Sequence, residues 1–124
     1  MKERIMEPLS GPVRGAVTIP GSKSYTNRAL VLAAMTPQSV RVERPLASDD
    51  TRAMLGCLRA LGIAVREEPD AWVVEGDIRD VRPGNYELDA DLSGITIRFL
   101  TALSAALPGT QTIGGKEGLN KRPI

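Results

Sequence analysis

Four side chains in one short stretch have the chemistry to hold an anion. They are Lys23, Ser24, Asn27 and Arg28, within Pro20-Gly21-Ser22-Lys23-Ser24-Tyr25-Thr26-Asn27-Arg28-Ala29-Leu30. Pro20-Gly21 reads as a turn, and the residues after it read as a helix that starts polar and cationic and continues apolar. The first turn of a helix presents backbone N–H groups with no partner inside the helix, at the positive end of its dipole. Ser22 or Ser24 can cap that turn, and Lys23 and Arg28 add full charges, so the expected ligand carries phosphate or carboxylate. The four polar residues cover one continuous arc of the helix, for which a purely structural role is hard to write. The segment also fails as a nucleotide-binding phosphate loop, because Gly21-Ser22-Lys23-Ser24 lacks the Gly-Lys dipeptide and the earlier glycine at the required spacing.

A second helix start, Gly94-Ile95-Thr96-Ile97-Arg98, repeats this logic ahead of an apolar body. A glycine at that position lets a ligand approach backbone N–H groups without a Cβ in the way. These two starts, with Lys23, Arg28, Arg98, Lys121 and Arg122, would form a polyanion pocket if the fold brings them together. Plainer readings carry weight. Ser93-Gly94 taken alone is as well explained as an ordinary cap. Asp49 and Asp50 are better explained as partners of a helix dipole, each worth ~0.3–1 kcal/mol. An isolated arginine such as Arg98 more often snorkels or pairs with an acid than binds a ligand. Cys57, mid-helix on an apolar face, reads as core rather than nucleophile.

The elements that must position these residues follow from pattern. Residues 13–19 read as a strand ending at Pro20-Gly21, and residues 22–35 as a helix whose latter half is buried all round. Residues 39–46 alternate Val40 and Val42 with Arg41 and Glu43, as a half-buried strand does. Ser48 caps an amphipathic helix that buries Met54, Leu55, Cys57, Leu58 and Leu61, turns Arg52 and Arg59 outward, and stops at Gly62. Residues 63–67 and 71–75 form a hairpin whose loop is expected to exceed two residues. A comparable cycle then begins: a strand at 86–91, a helix from Ser93 or Gly94 to Leu107, and a strand at 110–113. Arg122-Pro123-Ile124 reads as the start of a further helix, which suggests a chain cut from a longer one.

Composition narrows the function. The 124 residues, 42% of them hydrophobic, suit one core. Sixteen Lys and Arg against fifteen Asp and Glu leave a net charge of +1, and one Trp, two Tyr and one Phe give no stacking platform, which disfavours nucleic acid. The absence of histidine excludes a histidine metal site or a histidine base. The longest apolar run, residues 29–35, falls far short of the ~20 residues of a membrane span, so a soluble protein is expected. A single cysteine and no signal pattern make the reducing cytoplasm the default location.

In order along the chain stand Pro20-Gly21-Ser22-Lys23-Ser24-x-x-Asn27-Arg28-Ala29-Leu30, Ser48-Asp49-Asp50-Thr51-x-x-Met54-Leu55-x-x-Leu58-x-x-Leu61-Gly62, Gly94-x-x-x-Arg98 and Arg122-Pro123-Ile124. This set resembles the 5-enolpyruvylshikimate-3-phosphate synthases, from about residue 8 to the last residue. The resemblance implies an α/β fold: two domains, each an inside-out α/β barrel of three β-α-β-α-β-β units around buried helices. The chain would hold a first unit at about 13–77 and the start of a second at about 85–124. Residues before Lys23 would belong to the partner domain or the hinge.

The implied reaction moves the enolpyruvyl group of phosphoenolpyruvate to the 5-hydroxyl of shikimate 3-phosphate and releases phosphate, with no metal or organic cofactor. By similarity Lys23, Ser24 and Arg28 bind shikimate 3-phosphate, and Lys23 also touches phosphoenolpyruvate and serves as the catalytic residue. Gly94 and Arg122 bind phosphoenolpyruvate, and Arg98 supports that site. The acid–base carboxylates would lie in the remaining part of the enzyme, so the chain is expected to be inactive alone. Two departures stand out: Leu92-Ser93-Gly94-Ile95 replaces the usual Asn-Ala-Gly-Thr, and Phe99 replaces a frequent proline. Ile95 beside Gly94 would shift the pocket wall and weaken glyphosate, the family's competitor of phosphoenolpyruvate. Two alternatives remain. The related UDP-N-acetylglucosamine transferases carry Ala-Lys-Asn in place of Ser22-Lys23-Ser24 and a loop cysteine for which Cys57 substitutes poorly. A non-catalytic anion-binding module is the other.

Overall fold

A computed structural model describes residues 3–123. The chain order is α1 (Lys23–Ala34), β1 (Val40–Glu43), α2 (Asp49–Ala60), β2 (Ala64–Glu68), β3 (Ala71–Glu75), a short 3-10 turn (Ile78–Asp80), β4 (Asn85–Asp89), α3 (Gly94–Ser104), β5 (Thr110–Gly114) and the four-residue α4 (Glu117–Asn120). The 3-10 turn and α4 are elements that sequence patterning did not reveal. Both are too short to show a period.

β3 is the central strand of an antiparallel sheet in the order β1-β3-β2. The register aligns Val40, Val74 and Val65 across one face. That face covers the helices, and Trp72 and Val74 are buried with Leu30, Met54, Leu55 and Leu58. The opposite face is charged: Arg41 pairs with Glu43 and Glu68, and Arg66 with Glu68 and Glu75. Exposed pairs of this kind each contribute about 0–1 kcal/mol, so the apolar side determines the packing. Glu67 lies on the helix side of β2, where Arg52 and Arg59 of α2 both reach it at 3.1 Å. β4 and β5 pair in parallel, Asn85 opposite Thr110 through Asp89 opposite Gly114, with α3 as the crossover.

α2 follows its amphipathic pattern closely. Met54, Leu55, Cys57 and Leu58 are buried, Leu61 closes the helix, and Gly62 takes the positive φ of 88° expected after a helix C-terminus. α1 departs from expectation. Leu30, Val31, Ala33 and Ala34 are buried, but Leu32 and Met35 are 64% and 50% exposed, because no described residue covers that side. The expected strand at 13–19 is also absent: these residues have no ladder partner among the described residues, and Val13, Val17 and Ile19 are exposed. A strand pattern states a tendency, and without a neighbouring strand it closes no hydrogen bonds.

The hairpin between β2 and β3 is tighter than predicted. Glu68 pairs with Ala71, leaving only Pro69 and Asp70 in the loop. Arg122 and Pro123 are the last described residues, and Ile124 of the expected helix start lies outside them. No helix among the described residues is long and apolar enough to cross a membrane.

Candidate anion-binding site

Each of the three long helices is capped by a serine at its N-terminus. Ser22 Oγ accepts from Tyr25 N at 3.4 Å, Ser48 Oγ from Thr51 N at 3.4 Å, and Ser93 Oγ from Thr96 N at 3.2 Å. The entry to α1 is fixed by close packing: a Cβ on Gly21 would stand 2.4 Å from Arg44 O, so only glycine passes that loop without moving it.

Threonine hydroxyls then tie the three starts together. Thr26 Oγ1 accepts from Leu46 N at 3.0 Å, joining α1 to the loop before α2. Thr51 Oγ1 donates to Leu46 O at 2.7 Å and accepts from Ser48 N at 2.9 Å. Thr96 Oγ1 donates to Asp50 O at 3.2 Å, joining α3 to α2, and shares a 2.7 Å bond with Ser93 Oγ. Thr26, Thr51, Ser93 and Thr96 are all buried. Buried, satisfied hydroxyls fix relative geometry, because breaking one leaves a polar group without a partner at a cost of about 1–3 kcal/mol.

On this frame Lys23 Nζ reaches Asp50 Oδ2 at 2.7 Å, across 27 residues of sequence. The Asp50 carboxyl is held below its ordinary value chiefly by that lysine, opposed by partial burial and aided by the Ser93 hydroxyl and the charge of Arg122. Lys23 and Ser93, from the starts of α1 and α3, therefore act on one carboxylate, with the charge of Arg122 a weaker influence. Arg98 is exposed and bonded to backbone. Its guanidinium donates to Gly94 O and to Pro123 O, both at 3.1 Å, and so connects the start of α3 to the Arg122-Pro123 segment. The missing Cβ of Gly94 serves that contact, since it would lie 3.1 Å from Arg98 Nη1.

Other expected members are placed differently. Arg28 donates to Ser24 O at 3.1 Å and stands 5.8 Å above the centre of the Phe99 ring, so it leans toward α3 one turn beyond Gly94. Ser24 is exposed beside it. Asn27 does not share the exposed arc. The arc faces α2 and α3, its centre is covered, and neither amide atom of the fully buried Asn27 has a hydrogen-bond partner among the described residues. Lys121 does not join the cluster either; it pairs with Glu117 four residues earlier on α4. Cys57 is buried, its Sγ donates to Asp89 O at 3.2 Å, and burial pushes its thiol up to about 11, which leaves it unreactive.

Sequence reasoning missed the linking role of Asp50, assigned there to the helix dipole, and the tying role of the threonines. A signal for the second was present: Ser48-x-x-Thr51 and Ser93-x-x-Thr96 share one spacing.

Residues 9–124 match the model of the EPSP synthase (3-phosphoshikimate 1-carboxyvinyltransferase) family. The 3-phosphoshikimate 1-carboxyvinyltransferase of Rhizobium etli (strain CIAT 652) is 43% identical over 118 residues, which cover 94% of this chain and 28% of that protein. The enzyme of the same name from Cupriavidus necator is 42% identical over 123 residues, covering 96% of this chain and again 28% of the relative. In structure the chain resembles EPSP synthase from Acinetobacter baumannii with a TM-score of 0.80 at 24% identity, over 88% of this chain and 25% of that one. The chain thus spans little more than a quarter of the length of these relatives. It belongs to the EPSP synthase family.

Proposed function

We propose that this chain supplies one wall of an enolpyruvyl transferase site, in which phosphoenolpyruvate and shikimate 3-phosphate exchange the enolpyruvyl group and phosphate leaves. The observation that supports the reading is the joining of three helix starts by buried hydroxyls, with Lys23 of α1 reaching the Asp50 carboxylate of α2 and Thr96 of α3 bonded to the Asp50 carbonyl. Both substrates are phosphorylated carboxylates, the ligand class that helix N-termini and fixed cations favour.

In this reading Lys23, Ser24 and Arg28 hold shikimate 3-phosphate. Lys23, Gly94 and Arg122 hold phosphoenolpyruvate, and Arg98 braces Gly94 against the Arg122 segment. Attack of the 5-hydroxyl on the enol carbon gives a tetrahedral intermediate, and elimination of phosphate completes the exchange. Fixed cations favour both steps, by holding the reactants together and by stabilising the departing phosphate. Lys23 is the movable charge where the substrates meet, while the arginine forks suit carboxylate or phosphate oxygens. The proton transfers need groups supplied by the rest of the enzyme, which also covers Leu32 and Met35. The chain alone therefore does not turn over.

The UDP-N-acetylglucosamine alternative loses support from the buried, hydrogen-bonded Cys57, which is no substitute for a reactive loop cysteine. The test is a chimera in which residues 9–124 replace the matching segment of the Rhizobium etli relative. Phosphate release that depends on shikimate 3-phosphate, and falls at least ~100-fold on Lys23→Ala, is the expected result. An inactive but folded chimera, or one that accepts UDP-N-acetylglucosamine instead, would overturn the reading. In an active chimera Ile95→Thr is expected to strengthen glyphosate inhibition, and unchanged inhibition would remove Ile95 from the pocket wall.

A further inference from the structure

Asp50 is an unusual neighbour for an anion site. It places a negative charge against Lys23 where a negatively charged ligand is expected, and an exposed lysine–carboxylate pair returns only about 0–1 kcal/mol of stability. Stability is thus a weak reason for its position. Its surroundings give a better one. The backbone of Asp50 is fixed on both sides: its carbonyl accepts from the fully buried Thr96, and the next residue, Thr51, is fully buried and bonded to Leu46 and Ser48. The carboxylate carrier is rigid, whereas Lys23 is a flexible side chain that is half exposed.

An ammonium has three N–H donors. One is taken by Asp50 Oδ2 at 2.7 Å, and two remain for ligand oxygens. We propose that Asp50 is a positioning residue for Lys23: it anchors one N–H of the ammonium to the rigid junction of α2 and α3, so that the other two point at the anion site. The role in turnover rests on the enolpyruvyl-transfer reading, whereas the anchoring itself does not.

The arrangement separates two effects of removing the charge. Neutralising Asp50 makes the site more positive, so anions bind no more weakly. It also frees the ammonium to wander, and loss of orientation near a reacting centre costs rate, up to about 100-fold for displacements near 1 Å. A residue needed only for folding would lower stability and substrate affinity together.

The first readout is nuclear magnetic resonance of the lysine ammonium groups in this 124-residue chain, which needs no turnover. With Asp50 present, the Lys23 signal is expected to be protected from exchange, and Asp50→Asn should remove that protection. Lys121, paired with Glu117 elsewhere, serves as the unaffected reference. Inorganic phosphate should bind the variant at least as tightly as the unaltered chain. An unprotected Lys23 signal before substitution, or phosphate binding weakened more than about threefold by Asp50→Asn, overturns the anchor.

The second readout is the chimera with Rhizobium etli sequence. Asp50→Asn is expected to lower kcat by about 10- to 100-fold without raising the KM of either substrate, and to add nothing in a Lys23→Met background. A raised KM at constant kcat, or an equal loss with Lys23 already removed, contradicts the proposal. If Asp50→Asn does not fold, Asp50→Glu keeps the charge but moves it by one methylene, and should shift the Lys23 signal and kcat in the same sense. If the unaltered chimera is inactive, the enolpyruvyl-transfer reading fails, while Lys23 protection still decides the anchor.

Discussion

The starts of α2 and α3 are built alike and filled differently. Ser48-Asp49-Asp50-Thr51 and Ser93-Gly94-Ile95-Thr96 share a serine cap and a buried threonine three residues on. Between cap and threonine, α2 carries two carboxylates of its own, and α3 carries glycine and an apolar side chain. The first start satisfies its positive pole from within the chain. The second carries no acid at its first helical positions, and its Ser93 hydroxyl helps to hold the Asp50 carboxyl of α2, which pairs with Lys23. The same local motif thus carries acids at its first helical positions in one case and none in the other, which is the difference the proposed anion site rests on.

The largest effect is expected from the buried threonines of the two starts: Thr51 closes the start of α2 on its own loop, and Thr96 links α3 to α2. Thr51→Val removes the bond to Leu46 O and the acceptor for Ser48 N in a fully buried site, and should cost about 2–3 kcal/mol by urea denaturation. Thr96→Val, which breaks the link to Asp50 O and the bond to Ser93, should cost about 1–2 kcal/mol. A negligible loss for Thr96→Val would mean that the two starts are independent.

Converting one start into the other is the next test. Gly94→Asp would give α3 an internal carboxylate and crowd Arg98. Phosphate affinity, followed by calorimetry, should fall at least ~10-fold with little change in stability. Unchanged affinity would show that α3 holds no anion.

A smaller effect concerns pH. The carboxyl of Asp50 is depressed in the folded chain, so its contribution to stability is present above the ordinary aspartate range and fades as pH falls through the depressed value. Asp50→Asn should lower stability near neutrality by less than about 1 kcal/mol, and the two profiles should converge as pH falls through the depressed value. The smallest effect is expected at Arg44, a non-glycine residue with φ of 45° in the loop leading to α2. Arg44→Gly should raise stability by about 0.5–1 kcal/mol in the same denaturation assay.

What could be read from the sequence divides along a physical line. Caps, amphipathic faces and the hairpin pattern are local, and Ser48, Ser93, Gly62 and the face of Met54, Leu55 and Leu58 appear where their types and spacing put them. Statements that needed a partner fared worse. Residues 13–19 have a strand pattern but no strand to pair with among the described residues, and Leu32 and Met35 have apolar side chains that none of those residues covers. The short loop at Pro69-Asp70 depended on which residues of the two strands pair, which pattern alone leaves open.

The site shows the same division. Lys23, Gly94 and Arg122 were legible as types suited to an anion, but the pairing of Lys23 with Asp50 is tertiary. Arg98 and Arg28 were legible as cations and not as a brace to Pro123 or a stack on Phe99. Asn27 was legible as polar, while its burial follows from the side of α1 that turns toward α2 and α3.

The central claim is that the joined helix starts form an anion site for a phosphorylated carboxylate. The direct test is a titration of this chain with shikimate 3-phosphate, followed through its backbone amide resonances. The account predicts saturable shifts concentrated at residues 22–28 and 93–98, reduced by Lys23→Ala and by Arg28→Ala. Shifts spread over the charged outer face of the sheet, around Arg41 and Arg66, or none at these helix starts, would contradict it.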